Sequence, residues 1–90
     1  MPKYVIERDL PGASKLSAEE LQGISARSNK VISELGPELR WLTSYVTDDK
    51  IYCVYVAPDR DIIEEHARCG GFPANRISQV SAVIDPSTGD

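Results

Sequence analysis

The sequence predicts an α+β fold: one four-stranded antiparallel sheet with two helices on one of its faces, in the order β-α-β-β-α-β. Three observations carry this expectation. Four stretches are rich in β-forming residues, at 3–9, 39–47, 50–57 and about 76–84. Two further stretches repeat apolar residues at helical spacing and open on strong start signals. The two middle strands are separated only by Asp48-Asp49, which makes them a hairpin. Ninety residues then form a single domain, 1–90.

Each element follows from its own punctuation. KYVIERD is the first strand, and Leu10-Pro11-Gly12 turns the chain. Ser17 opens the first helix with Glu20 three residues on, the capping-box pattern, and Leu16 with Leu21 supplies the hydrophobic staple. Leu21, Ile24, Val31, Ile32 and Leu35 share one stripe, on which Ser28 is the single polar intruder. Gly36-Pro37 stops the helix. With Asp48-Asp49 as the turn, Tyr45 faces Tyr52 and Ser44 faces Cys53. That pairing puts Trp41, Thr43, Tyr45, Tyr52, Val54 and Val56 on one face. The other face carries Leu42, Ser44, Val46, Ile51, Cys53 and Tyr55.

Asp59 caps a second helix whose inner stripe is Ile62, Ile63, His66 and Ala67, and Gly70-Gly71-Phe72-Pro73 ends it. The last strand carries Val80, Ala82 and Ile84 on one face, and Asp85-Pro86 closes it ahead of a frayed end. The order is the split βαβ arrangement of ferredoxin-like folds, and right-handed crossovers place both helices on one side. A hairpin apolar on both faces needs cover on both, which one helix layer cannot give. A homodimer through the open sheet face is therefore expected, because so short a chain has a thin core of its own.

Composition excludes more than it proposes. Ten basic against fourteen acidic residues give a net charge of −4, the wrong sign for a nucleic-acid binder. Strand 3 reads IYCVYV, without the basic, aromatic-interleaved pattern of RNA-binding modules. The loop after strand 1, Leu10-Pro11-Gly12-Ala13, lacks the arginine of an acylphosphatase-like anion loop. Cys53 and Cys69 follow no CxxC spacing, so no zinc cluster is expected, and without a secretory leader no disulfide. No apolar run is long enough for a membrane span, and a cytoplasmic protein is expected.

The residues able to carry chemistry are few. His66 is the only histidine, a candidate metal ligand or proton carrier that would need Glu7, Glu65 or a second chain to complete a shell. Glu7 and Arg8 lie on the first strand, which is central in this topology. Facing a cleft, Arg8 or Arg76 can take a carboxylate and Glu7 can serve as base. Tyr45 and Tyr52, with Trp41, suit either a dimer seam or a stacking wall. Cys53 reads as a core residue, and Cys69 lies at a helix C-terminus, where a thiol's pKa rises. Gly70 to Arg76 is the most unusual stretch and a candidate ligand loop.

YVIERDLPG, IYCVYVAP and EEHARCGGFPANRI resemble a small bacterial family, first catalogued as a domain of unknown function, that includes nickel-binding ferredoxin-like dimers. The resemblance spans nearly the whole chain. It implies a ferredoxin-like dimer of largely unknown function, binding a small ligand or a metal, with nickel or another divalent transition metal near His66. The nickel-binding members are richer in histidine after strand 1, in helix 1 and in the Gly-x-Pro loop. Here those places hold Arg8 and Asp9, Ser25 to Arg27, and Phe72, and only His66 matches. The layout also resembles cofactor-free dimeric α+β barrel enzymes, oxygenase- or isomerase-like. That resemblance would give Tyr45, Tyr52 and His66 polar roles toward a small aromatic substrate.

Overall fold

The computed structural model describes all 90 residues. Strand β1 (Lys3–Asp9) leads through a short 3-10 turn (Ala13–Lys15) to helix α1 (Ala18–Leu35). Strands β2 (Arg40–Val46) and β3 (Lys50–Val56) form the hairpin, and helix α2 (Arg60–Gly70) and strand β4 (Arg76–Gln79) follow. The sheet runs β2-β3-β1-β4, antiparallel throughout, so the first strand is central. This is the predicted ferredoxin-like fold.

The helix starts form as their sequences dictate. Glu20 donates its backbone N–H to Ser17 Oγ, and the Ser17 N–H reaches Glu20 Oε1, each at 3.1 Å. Asp59 caps α2 by accepting from the Ile62 N–H at 3.1 Å. At the far end of α2, Gly71 takes a left-handed φ of 69°, which a side chain would resist. The hairpin turn is anchored as well, since the Leu10 and Gly12 N–H groups donate to Asp49 at 2.9 and 3.1 Å.

One face of the sheet meets the helices. Tyr4, Ile6, Leu39, Tyr55 and Ile63 are buried there and form the centre of the core. Alternation along β1 sends Tyr4, Ile6 and Arg8 inward and Lys3, Val5, Glu7 and Asp9 to the open face.

Three expectations are corrected. The hairpin register holds from Val46↔Ile51 to Thr43↔Val54, and then Leu42 bulges, so Trp41 pairs with Tyr55. The extra residue turns Trp41 to the helix side, away from Tyr45 and Tyr52. The last strand stops at Gln79, where the sequence predicts continuation to 84. Its neighbour β1 begins at Lys3, to whose carbonyl the Val80 N–H donates at 2.8 Å, and beyond that no strand remains to pair with. Val83 and Ile84 are consequently exposed. The chain does not end as the sequence reading has it. Residues Pro86–Gly89 form a 3-10 turn capped by Asp85. No helix is long and apolar enough to cross a membrane.

Candidate functional site

The residues singled out in the sequence divide between the two sides of the sheet. Tyr45, Tyr52, Glu7 and Arg76 are successive register partners on β2, β3, β1 and β4, and so form one row across the open face. Lys50 Nζ lies 3.4 Å from Glu7 Oε1, and Arg76 Nε lies 3.9 Å from Oε2 of the same carboxylate. The carboxylate's hydrogen bond is the main reason the Lys50 ammonium titrates above its ordinary range.

Arg8 and His66 lie on the other side, among the helices. The alternation of β1 drives Arg8 inward, where it is 4% exposed. Its Nε donates to Cys53 Sγ at 3.3 Å and its Nη1 to the Pro73 carbonyl at 2.6 Å. The remaining nitrogen, Nη2, is buried without a partner. No carboxylate pairs with this guanidinium.

His66 is wholly buried on the inner face of α2. Its Nε2 lies 3.0 Å from Ser28 Oγ, and Ser28 Oγ lies 3.5 Å from the Tyr55 hydroxyl. A chain running from His66 Nε2–H to Ser28 to Tyr55 satisfies all three and leaves Nδ1 as the unpaired acceptor. Burial first, and the Arg8 charge second, hold the His66 pKa down to about 4, so the ring is neutral at pH 7. Burial likewise keeps the Tyr55 phenol protonated, its pKa pushed upward.

Phe72 ties these groups together. Gly70-Gly71 lets the chain double back off α2, and the Phe72 ring stacks on His66 with centroids 5.4 Å apart. The Arg8 and Arg27 guanidinium carbons stand 5.5 and 4.7 Å from the ring centroid, within cation–π range. Beside this cluster a cavity of about 220 Å³ opens between α1, the β2–β3 hairpin and the Gly71–Pro73 loop. Its lining is mostly apolar, with Leu21, Ile24, Trp41 and Phe72 prominent; its charged residues are Arg8 and Arg27, with no carboxylate. Trp41 Nε1 donates to Ser44 Oγ at 2.9 Å, so the bulge at Leu42 both aims the indole and satisfies it.

Sequence reasoning named Arg8, His66 and the Gly-Gly-Phe-Pro stretch. It missed Ser28, Arg27 and Tyr55 as parts of the same cluster. A serine on an otherwise apolar stripe was the available signal for Ser28, since a buried hydroxyl needs a partner. Cys69 sits apart and exposed, donating to Glu65 Oε1 at 3.3 Å, and this hydrogen bond raises its thiol pKa.

A divalent metal does not fit these residues. No group of three or more His, Cys, Asp or Glu has the geometry to hold one. His66 Nε2 is engaged by Ser28, and the Arg8 charge, which already disfavours the protonated ring, would likewise repel a metal cation. Glu7 lies on the opposite face of the sheet, and Glu65 is held by Arg68 and Cys69. Tyr45 and Tyr52 likewise do not converge with His66, so the enzyme-like trio forms no common site within one chain.

Comparison with known proteins agrees with the fold. The family model described as "Nickel responsive protein SCO4226-like" matches residues 4–80. The crystal structure of SCO4226 from Streptomyces coelicolor A3(2) superimposes with a TM-score of 0.77 at 13% identity. The match covers 91% of this chain and 99% of that one. No curated protein shows significant similarity.

Proposed function

From its membership of the nickel-responsive SCO4226-like family, to which this chain belongs, we propose that the protein is a small homodimeric binding protein. Its helix-side cavity receives a small organic molecule, and His66 stabilises the cavity wall without ligating nickel. The cavity itself carries this reading. It is a concave, mainly apolar space with a few convergent polar groups, the usual form of a ligand site. An NMR titration with phenol as a probe tests it. Saturable shifts at Trp41, Ser44 and Phe72 support the reading, and shifts confined to the open sheet face, or none, overturn it. Calorimetry with nickel is expected to show no heat that His66→Gln abolishes. Such a heat would restore the metal to this side chain.

The dimer rests on the other face. Only 15 of 90 residues are buried in the single chain, and Val5, Tyr52, Val54 and Val56 lie half-covered on the open side of the sheet. Pairing two such faces about a two-fold axis would cover them and extend a core too small for comfort. Sedimentation at micromolar concentration is expected to give a dimer that Tyr52→Glu converts to a folded monomer. A wild-type chain that stays monomeric there would overturn the dimer.

A further inference from the structure

We propose that the occupant of the cavity is a small carboxylate whose body is a single apolar ring, its carboxylate paired with the guanidinium of Arg8, which lines the cavity. The inference deepens the ligand-binding reading above and rests on it.

Charge carries the argument first. Arg8 is a buried cation that no carboxylate of the chain neutralises, and a buried unpaired charge is costly. Two of its nitrogens are already committed, to Cys53 and to the Pro73 carbonyl, and these contacts fix the guanidinium plane. The guanidinium keeps protons to spare, both of those on Nη2 and one on Nη1. An anion meeting it gains a charge-assisted hydrogen bond from a donor whose position costs nothing further to set. Arg27, the second cation of the lining, adds attraction for the same sign of charge, and no acidic side chain there opposes it.

Shape and lining set the rest of the ligand. A dry apolar cavity of about 150 Å³ accommodates benzene. The space here, about 220 Å³, has room for one such ring and a carboxylate. Leu21, Ile24 and Trp41 supply apolar contact for the ring, whereas a fully hydrated inorganic anion would waste it.

Benzoate, benzamide and inorganic phosphate are the probes, followed by NMR on the intact protein through the Trp41 indole and Arg8 Nε–H signals. Benzoate is expected to bind at least about tenfold more tightly than benzamide, its near-isosteric neutral amide, and the margin is expected to shrink at high salt. Arg8→Gln is expected to erase the difference. Because that variant can lose its fold, the comparison of acid with amide on the unaltered chain decides the matter. Equal binding of benzoate and benzamide would overturn the carboxylate and leave the cavity reading standing. Phosphate binding as tightly as benzoate would overturn the apolar ring. Failure of all three to bind would overturn both readings together.

Discussion

Glu7 and Arg8 are adjacent in sequence, opposite in charge, and assigned by strand alternation to opposite sides of one sheet. Glu7 sits among solvated cations, with Lys50 and Arg76 sharing its carboxylate. Arg8 sits among aromatic rings and backbone, with one nitrogen unpaired and no counter-charge. The difference teaches that the two faces hold charge by different means. On the open face water screens each ion, and the ion pairs add little. On the helix face the protein must supply every partner, and it leaves Arg8 Nη2 and His66 Nδ1 without one.

The largest effect should therefore come from truncating the buried cation. Arg8→Ala removes the donors to the Pro73 carbonyl and Cys53, takes the cation from the Phe72 ring, and enlarges the cavity. Urea denaturation is expected to show a loss of about 3–5 kcal/mol, the combined size of the lost charge-assisted hydrogen bonds and of the cavity left by a large buried side chain. A loss below about 1 kcal/mol would mean that Arg8 is as well solvated as Glu7, and the contrast between the faces would collapse.

How much of this was legible beforehand follows from the range of each signal. Strand alternation, the Ser17–Glu20 capping box and the Asp59 cap are local, and they placed the elements within a residue or two at most boundaries. The bulge at Leu42 was not legible, because nothing in RWLTSYV announces an extra residue, and it alone carries Trp41 to the cavity side. Nor was the early end of β4, which depends on where a strand far away in sequence begins. Arg8 and His66 were flagged as single residues, but their meeting around Phe72 rests on long-range packing. Glu7, Tyr45, Tyr52 and Arg76 were grouped with them because the sequence does not say which side of a sheet the ligand uses.

His66 gives the next largest effect and tests how dry the helix face is. Its pKa is about 4 in the folded chain and near 6.5 when unfolded. Between those values the unfolded chain binds the extra proton, so stability is full above pH 6.5 and declines as pH falls toward 4. The decline attributable to His66 is about 3 kcal/mol. It is read as the difference between wild type and His66→Gln in urea midpoints across that window. Parallel pH profiles for the two proteins would show that the ring reaches solvent.

A smaller effect separates two neighbouring glycines at the edge of the same cluster. Gly70→Ala should gain helix propensity, yet its Cβ would run into the Phe72 ring, which stacks on His66. The net expectation is a loss of about 1–2 kcal/mol, together with a shifted Trp41 or Phe72 environment in the NMR spectrum. Gly71→Ala meets open space and loses about 1 kcal/mol through its positive φ alone, with the aromatic signals unmoved. If Gly70→Ala instead stabilises the protein, Phe72 is free to swing and cannot be the element that joins Arg8, Arg27 and His66.

The smallest effect belongs to the open face, and it is best seen in titration because stability will hardly register it. Glu7→Gln removes the carboxylate from Lys50 and Arg76. The Lys50 ammonium, held above its ordinary pKa chiefly by hydrogen bonding to Glu7, should return toward that value in carbon-detected NMR. A raised lysine pKa stabilises the fold below the unfolded value, and that contribution is lost as pH rises through the folded one. At neutral pH the urea midpoint should nonetheless move by no more than about a fifth of the Arg8→Ala displacement, because exposed pairs contribute little. Salt should mimic the substitution, since these charges lie within reach of screening ions whereas Arg8 does not. A Glu7→Gln loss rivalling that of Arg8→Ala would mean that the row from Tyr45 to Arg76 is itself desolvated. That result would move the charge burden from the cavity to the open face, where the proposed second copy would pack.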